Sequence, residues 1–414
     1  MNDRAGADLI ADSVRAEVAQ WITQHWDPEL PLAQWRELLA DSGWACPTWP
    51  PRWCGRGLSR ALGRVVAEEM QRAVVPGVPG GVGMMLAAPV LLEHGSDELK
   101  ERFIRRTVAG EITWCQLFSE PGAGSDLAGL RSQAVRDGEG WHLSGQKVWS
   151  TGAASADFGL LLARTDWDAP KHAGITAFVL PMRQKEIRVR PLRQMNGHSS
   201  FNEVFFDAAL IPADHVIGEP GGGWIVARAT LALERRLAAF PPAPARTTGR
   251  AWREAIAEQT AAAEPHKWYP QRAGRADLVI GQAQAMGRAG DPVVRQEIAR
   301  LIELAWSARW MADRDTRQAA GQQAMGSLGK LASSNIARQA ARVHTMVAGT
   351  AGMLAGPDSL LSGTVAEIGV SVPAISIAGG TDEIQRNIIA ERILGLPREP
   401  DVSAGVPFRD VRAG

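Results

Sequence analysis

Over roughly the first hundred residues, apolar side chains recur three and four positions apart, as in "ALGRVVAEEMQRAVV" (61–75), a spacing that gathers one face of a helix. The stretches "CPTWPPRWCGRGLS" and "VPGVPGG" interrupt that rhythm with helix-breaking Pro and Gly. From residue 113 the texture changes. "GWHLSGQKVWSTGA", "DFGLLLART", "GITAFVLPM" and "FNEVFFDAALI" are short β-rich runs separated by Gly, Asp and Pro turn signals. After "GEPGGGW" the helical period returns in "WIVARATLALERRLAAF" and "DPVVRQEIARLIELAWSARWMADRD". The pattern predicts an α+β chain: a helical domain over 1–112, a compact β domain over 113–217, a helical bundle over 218–398, and a polar tail over 399–414 that is ordered only if it docks. No solenoid-type repeat is present.

Composition narrows the function classes. A chain of 414 residues exceeds what one core usually supports, since cores stop growing near about 250–300 residues. Lys plus Arg balances Asp plus Glu at 45 each, so no global field draws the protein to nucleic acid or an anionic membrane. Any anionic ligand must be met by local groups. Cys46, Cys54 and Cys115 form no CxxC pair, and an odd number argues for a reducing, cytoplasmic setting. The opening "MNDRAGADLIADSV" carries acids at 3, 8 and 12, unlike a signal or transit peptide. No run of about 18 uncharged apolar residues occurs, so no membrane span is expected.

Four stretches carry candidate chemistry. In "FSEPGAGSDLAGL" (118–130), Gly122 and Gly124 allow close approach and Ser119 and Ser125 offer hydroxyls. The loop is either a cradle for a polar ring edge or phosphate, or a surface turn capped by Asp126. In "GQKVWSTGA", Trp149 and Thr151 lie two apart and are predicted to share one face of a strand. There an indole packs on a flat ligand while a hydroxyl reaches its heteroatom, or the tryptophan is simply core. In "IAGGTDEIQRNIIAERILGL" (377–396), Gly379 and Gly380 turn the chain, Thr381 caps a helix, and Asp382 and Glu383 complement its positive end. Asp382 is expected to pair with Arg386, and Ile384, Ile388 and Ile389 to bury one face. In "WIVARATLALERRLAAF", Trp224, Ala227, Leu231, Glu234 and Ala238 fall on one stripe, so Glu234 interrupts an apolar face. Its helical neighbours Thr230, Leu231, Leu237 and Ala238 are uncharged. A desolvated carboxylate has a raised pKa and suits a general base near neutrality. The alternatives are an ion pair with a distant arginine such as Arg386, or a solvent-facing acid.

Taken in order, "SEPGAGSD", "GQKVWSTGA" and "IAGGTDEIQRNIIAERILGLP" resemble the acyl-CoA dehydrogenase family of flavoproteins. The resemblance runs over almost the whole chain, through "HGSDELKERFIRRTVAGEITWCQLF" and "RPLRQMNGHSSFNEVFFDAALIPADHVIGEPGGGW". It implies an N-terminal helical domain, a middle β-barrel-like domain and a C-terminal helical bundle, with FAD between the last two. It also implies an acyl-CoA substrate, an acceptor like the electron-transfer flavoprotein, and assembly as a homotetramer, homodimer or heterotetramer with a related subunit. In the reaction so implied, an α-proton and a β-hydride leave the acyl group, the hydride going to flavin N5, and a 2-enoyl-CoA results. By resemblance, Gln116, Leu117, Ser119, Gly124 and Ser125 cradle the flavin, Ser125 also lying near CoA. Trp149, Ser150 and Thr151 flank the flavin, with Thr151 aimed at N5, and Thr381 and Glu383 contact its nucleotide portion. The backbone N–H of Gly379 polarises the thioester carbonyl, and Gly380 and Arg235 face the substrate. Many members carry the catalytic glutamate where this chain has Gly379. A second branch, which includes isovaleryl-CoA dehydrogenase, carries it earlier in a Leu-Glu-Arg context, and Glu234 matches that place.

Two segments depart from the family pattern. "MGRAGDPVVRQEIARL" stands where an Arg-x-x-Phe-Gly-x-Pro stretch is usual, with Arg288 and Arg295 off its spacing, and "TMVAGTAGM" replaces a Gln with a Gly-Gly pair. Pro241, Pro242 and Pro244 are predicted to end the Glu234 helix early and reshape the wall beside the acyl chain, which suits a bulky or branched acyl group. Three functions follow from the resemblance: a dehydrogenase with Glu234 as base, a partner subunit of a heteromeric enzyme, and a flavin monooxygenase on the same fold.

Overall fold

The structure is a computed structural model that describes residues 2–138, 140–234, 247–317, 325–400 and 404–411. Five helices open the chain: α1 (Asn2–His25), α2 (Leu32–Ser42), α3 (Arg60–Arg72), α4 (Ala88–His94) and α5 (Asp97–Ala109). Their ends follow from local chemistry. The Ser59 and Ser96 hydroxyls accept the first free amides of α3 and α5, from Leu62 (3.3 Å) and Leu99 (3.2 Å). Fully buried Trp35 donates its indole N–H to the Pro76 carbonyl (2.7 Å).

Strands β1 (Trp114–Leu117), β2 (Gln133–Arg136), β3 (Gly140–Lys147), β4 (Phe158–Arg164), β5 (Ile175–Pro181), β6 (Ile187–Leu192), β7 (Phe201–Pro212) and β8 (Val216–Ile217) form one sheet in the order β6-β7-β3-β2-β4-β5-β8. β1 lies parallel to β4. Both faces of β4 and β5 are covered. Leu161, Ala163, Phe178 and Leu180 meet Leu143, Val204 and Ile211 on one side. Leu160, Leu162, Ala177 and Val179 meet Leu99, Phe103 and Leu91 on the other. Covering on two sides is why "GLLLA" and "ITAFVL" read as continuous apolar runs instead of alternating ones.

The remaining helices are α6 (Gly223–Glu234), α7 (Arg250–Ala263), α8 (Tyr269–Arg272), α9 (Val279–Ala285), α10 (Pro292–Arg317), α11 (Met325–Ala348), α12 (Thr364–Ser371) and α13 (Asp382–Arg392). Val279, Val294, Leu301, Val343 and Val347 give α9, α10 and α11 a common core. α6 and α7 pack elsewhere. Val226 and Ala227 of α6 join the core between sheet and N-terminal helices. Trp252 and Ala255 of α7 enter the core of Val14, Val18, Trp35 and Leu39. Beside them Glu258 grips the buried Arg36 guanidinium at 2.6 and 3.0 Å, and Glu254 accepts the Leu32 amide at 2.8 Å. A helix from beyond the β domain therefore returns to complete the N-terminal core. Among the described residues no helix is long and apolar enough to cross a membrane.

If α7 completes the N-terminal core, Trp252→Ala leaves a cavity there and costs about 3–5 kcal/mol. A urea titration checks this, and an unchanged midpoint places α7 outside that core.

Candidate active site

The two Gly- and Ser-bearing motifs of the β domain are one unit. Lys147, at the end of β3, is fully buried, and its ammonium donates to the Glu120 carboxylate (2.7 Å) and the Phe118 carbonyl (3.0 Å). Glu120 also accepts the amides of Arg131 (2.7 Å) and Ser132 (2.9 Å), and the Val148 amide donates to the Ser119 carbonyl (2.9 Å). Burial disfavours the charge on both side chains. It pulls the Lys147 ammonium below its ordinary value, but Lys147 and the two amides still hold the Glu120 carboxyl below the usual carboxylate range. Each of the two buried groups thus faces a complementary donor or acceptor.

Reciprocal bonds between Glu120 and Ala123 (3.0 Å each) fold the loop tightly and bring Gly122, Gly124 and Ser125 to the surface. Among the described residues, none beyond the chain neighbours comes within 4 Å of where a Cβ would stand on Gly122 or Gly124. Ser119 and Gln116 are half-buried. The Leu117 side chain lies inside the sheet core, so only its backbone faces the loop.

Trp149 departs from expectation. β3 ends at Lys147, Trp149 turns left-handed with φ +65°, and Thr151 sits in the turn that follows. Trp149 and Thr151 are therefore not on one face of a strand. A bulky residue at positive φ is strained and persists only where its surroundings overdetermine it. Here Ser150 and Asn202 exchange backbone bonds (3.1 and 3.2 Å), and Asn202 Nδ2 donates to the Ser150 carbonyl (2.8 Å). The result is an indole 55% exposed, packed edge-on against Phe201 at 5.5 Å. Beneath it the Ser150 hydroxyl is buried with no hydrogen-bond partner among the described residues. An open indole face, an open Gly loop and an unpartnered hydroxyl together fit a large flat ring system with polar edges.

The C-terminal helices close in across a polar seam. Asn196 donates to the Ser371 hydroxyl (3.2 Å), His198 meets Glu367 (3.0 Å), and the Trp268 indole N–H donates to the Ser200 hydroxyl (2.8 Å). Aromatic rings continue inward from Trp149: Phe201 to Trp268 at 6.5 Å, then Trp268 to Tyr269 at 5.1 Å. The Tyr269 phenol also lies within the field of the Glu234 carboxylate. Burial raises the Tyr269 phenol above its ordinary value against the opposing Arg272, and the Glu234 carboxylate adds to the rise. Arg272 holds its guanidinium 4.8 Å from the tyrosine ring.

Glu234 is the last described residue of α6 and is half-buried. The helix is aimed by its first residue, because a Cβ on Gly223 would stand 2.6 Å from the Ala177 amide nitrogen of β5. Only glycine lets α6 start so close to the sheet. Arg235, Ala238 and the prolines at 241, 242 and 244 lie outside the described residues.

At the opening of α13, Gly379 and Gly380 have φ +69° and +86°, and the Thr381 hydroxyl accepts the Ile384 amide (3.2 Å) as expected for a cap. The space beside Gly379 is open. The expected Asp382–Arg386 pair does not form. Asp382 is buried against α11, where Lys330 (2.8 Å) and Arg338 (3.4 Å) supply two cations, and Arg386 turns to exposed Glu383 (3.4 Å). A first-turn side chain points back past the helix start, which directs Asp382 at α11 instead of one turn forward. The buried positions of α13 are Asp382 and Gln385, while Ile384, Ile388 and Ile389 are half-buried. Gln385 ties the turn by donating to the carbonyls of Gly379 (3.1 Å) and Gly380 (3.3 Å). Farther along, Arg288 is engaged with Asp291 (2.8 Å).

Comparison with known proteins agrees along the whole chain. Family models described as acyl-CoA dehydrogenase N-terminal, middle and C-terminal domains match residues 3–111, 115–209 and 221–394. The chain is 38% identical over 399 residues to acyl-CoA dehydrogenase FadE34 of Mycobacterium tuberculosis, covering 95% of this chain and 50% of that protein. It therefore spans half the length of that relative. It is 35% identical over 370 residues to acyl-CoA dehydrogenase IpdE1 of the same organism, covering 88% of each. Among solved structures, the ChsE4–ChsE5 complex from Mycobacterium tuberculosis contains a chain that matches with a TM-score of 0.64 at 26% identity, covering 94% of this chain and 98% of that one.

Removing one partner of the buried pair tests its role. Lys147→Met strands the Glu120 charge and costs about 3–5 kcal/mol of stability, whereas Lys147→Met with Glu120→Gln recovers much of the loss. The depressed Glu120 pKa makes this contribution complete above the unfolded value of about 4.3 and lost as pH falls through the lower folded value. Denaturant midpoints at pH 7 and pH 3 check both statements; equal losses for single and double variants would show that the two charges are not coupled.

Proposed function

Because the chain belongs to the acyl-CoA dehydrogenase family of flavoprotein oxidoreductases, we propose that it binds FAD against Trp149 and oxidises an acyl-CoA thioester to its 2-enoyl-CoA, with Glu234 as the base. The observation that carries this reading is the Trp149 indole, held open by a strained backbone beside an open Gly loop and a buried, unpartnered hydroxyl. Such strain marks functional sites because packing alone gives no reason to keep it. FAD, when bound, accepts the hydride from the β-carbon.

The chain's own residues do the rest. The Gln116 side chain, the Leu117 backbone, Ser119, Gly124, Ser150 and Thr151 hold the ring edge, and Thr381 and Glu383 hold the nucleotide. Ser125, Gly380 and Arg235 meet the substrate. The Gly379 amide donates to the thioester oxygen as negative charge develops there, and nothing beside that glycine blocks the approach. Glu234 takes the α-proton, the two C–H bonds break, and the α,β double bond forms. Its half-buried place on α6, among apolar neighbours, suits a carboxylate that takes a proton from a bound substrate. Electrons then pass to an acceptor like the electron-transfer flavoprotein. The substrates of choice are bulky or branched acyl groups.

A second reading is favoured by two observations. One relative is twice as long as this chain, and a matching solved structure is a complex of two differently named chains. On this reading the chain works as one half of a heteromer. The C-terminal domain offers a surface for it: Ile302, Trp306 and Trp310, one turn apart on α10, expose apolar side chains in a row.

Anaerobic addition of branched and bulky acyl-CoAs to the flavin-loaded protein bleaches the flavin absorbance. Glu234→Gln keeps the flavin and slows bleaching by about 10²–10⁴-fold, and an unchanged rate rules Glu234 out as the base. A chain that is colourless alone but takes up flavin when co-expressed with a related subunit establishes the heteromeric reading. Trp306→Glu combined with Trp310→Glu lowers the assembly mass in sedimentation; an unaltered mass puts the interface on another face.

A further inference from the structure

The C-terminal tail is not an idle end. Residues 404–411 lie against the β domain, where the Phe408 amide donates to the Ala169 carbonyl (3.0 Å) and the Arg409 amide to the Trp167 carbonyl (3.0 Å). Pro407 bridges to Pro170, and the Arg409 guanidinium meets Asp168 at 2.6 Å. Phe408 is 2% exposed. Its ring covers the guanidinium of Arg164, with the central carbon 3.4 Å from the ring centroid, and Arg131 and Trp167 approach the same ring at 5.2 and 5.5 Å.

Arg164 is an unusual group to bury. It is fully inaccessible at the end of β4, and its hydrogen bonds go to main-chain carbonyls: Ala128 (2.7 Å), Leu130 (3.2 Å) and Lys171 (3.2 Å). Burial pulls the guanidinium down to about 10, with Glu120, Asp126 and Asp166 among the charges that oppose the fall and Arg131 adding to it. The carbonyls of Ala128 and Leu130 belong to the same loop whose other end is held by Glu120 and Lys147. That loop thus has two anchors, one buried ion pair and one buried guanidinium. The second is kept dry by an aromatic side chain from the far end of the sequence.

We propose that the tail is a strap, and that Phe408, acting through Arg164, is a positioning residue that fixes loop 118–132 in the shape that receives flavin and CoA. The inference rests on the reading of that loop as the flavin cradle. Without the ring, water reaches Arg164 and competes with the two loop carbonyls for its N–H groups. A desolvated cation over an aromatic face is held much more strongly than an exposed one, so the aromatic character of residue 408 matters and not only its bulk.

The test compares the parent protein with Phe408→Ala, Phe408→Leu and Phe408→Tyr, all full-length. Hydrogen–deuterium exchange is read at the Arg131 and Ser132 amides, and FAD release is read by fluorescence. Phe408→Ala should speed exchange at those amides roughly tenfold, with β5 and α5 unchanged, and hasten FAD release by a similar factor. Phe408→Leu should lie near Ala, and Phe408→Tyr near the parent. Exchange equal to the parent in Phe408→Ala overturns the proposal, as does faster exchange spread evenly over β5, α5 and the loop. Faster local exchange in a protein that never binds FAD, alone or with a partner chain, supports the strap and removes the cradle reading instead.

Discussion

The two β-domain motifs of the site are hung from one buried ion pair. Glu120 and Lys147 belong to separate sequence motifs, and their contact at 2.7 Å makes the two loops a single body. Two charges removed from water usually cost more than their attraction returns, unless the remaining lone pairs and protons are also satisfied. Here they are satisfied, by the Arg131 and Ser132 amides on one side and the Phe118 carbonyl on the other. The geometry is correspondingly narrow. Shifting either loop would uncover a charge inside the sheet, so the position of Ser119, and through it of Val148 and Trp149, is set by electrostatics more than by packing.

A second constraint places Glu234, the acid proposed as the base. α6 begins at Gly223 against β5, buries Val226, Ala227 and Thr230, and carries Glu234 about three turns on. The neighbouring α7 enters the N-terminal core through Trp252. The helix that carries the acid is therefore set between the sheet and the N-terminal helices, while the next helix enters the core of α1 and α2. Rigid elements rather than loops aim the acid, which is what a group needed in one orientation requires.

The strain at Trp149 and the dry cover over Arg164 are complementary devices. One holds an aromatic surface out of the protein at the expense of an unfavourable backbone, and the other draws an aromatic ring in to protect a cation. Both depend on partners distant in sequence: Asn202 for the first, Phe408 for the second.

Much was legible in the order of residues alone. Periodicity separated helical from β regions, because amphipathic repeats and turn residues act locally. The Thr381 cap and the breaks before α3 were readable for the same reason. Three motifs in order pointed to the family, whose models match 3–111, 115–209 and 221–394. Ion pairing was not legible. Asp382 has a suitable arginine one turn ahead in sequence but takes Lys330 and Arg338 from another helix, since a buried acid goes to whichever cations share its burial. Trp149 and Thr151 were readable as a strand pair until the backbone turned left-handed, a choice made by Asn202 and Ser150 across the sheet. The aromatic path from Trp149 through Phe201 to Trp268, and the tail over Arg164, join residues from about fifty to more than two hundred positions apart. Local sequence determined which segments become helix, strand and turn and which residue types they carry; only the tertiary structure decided which charges and rings meet, because desolvation is a property of the packed whole.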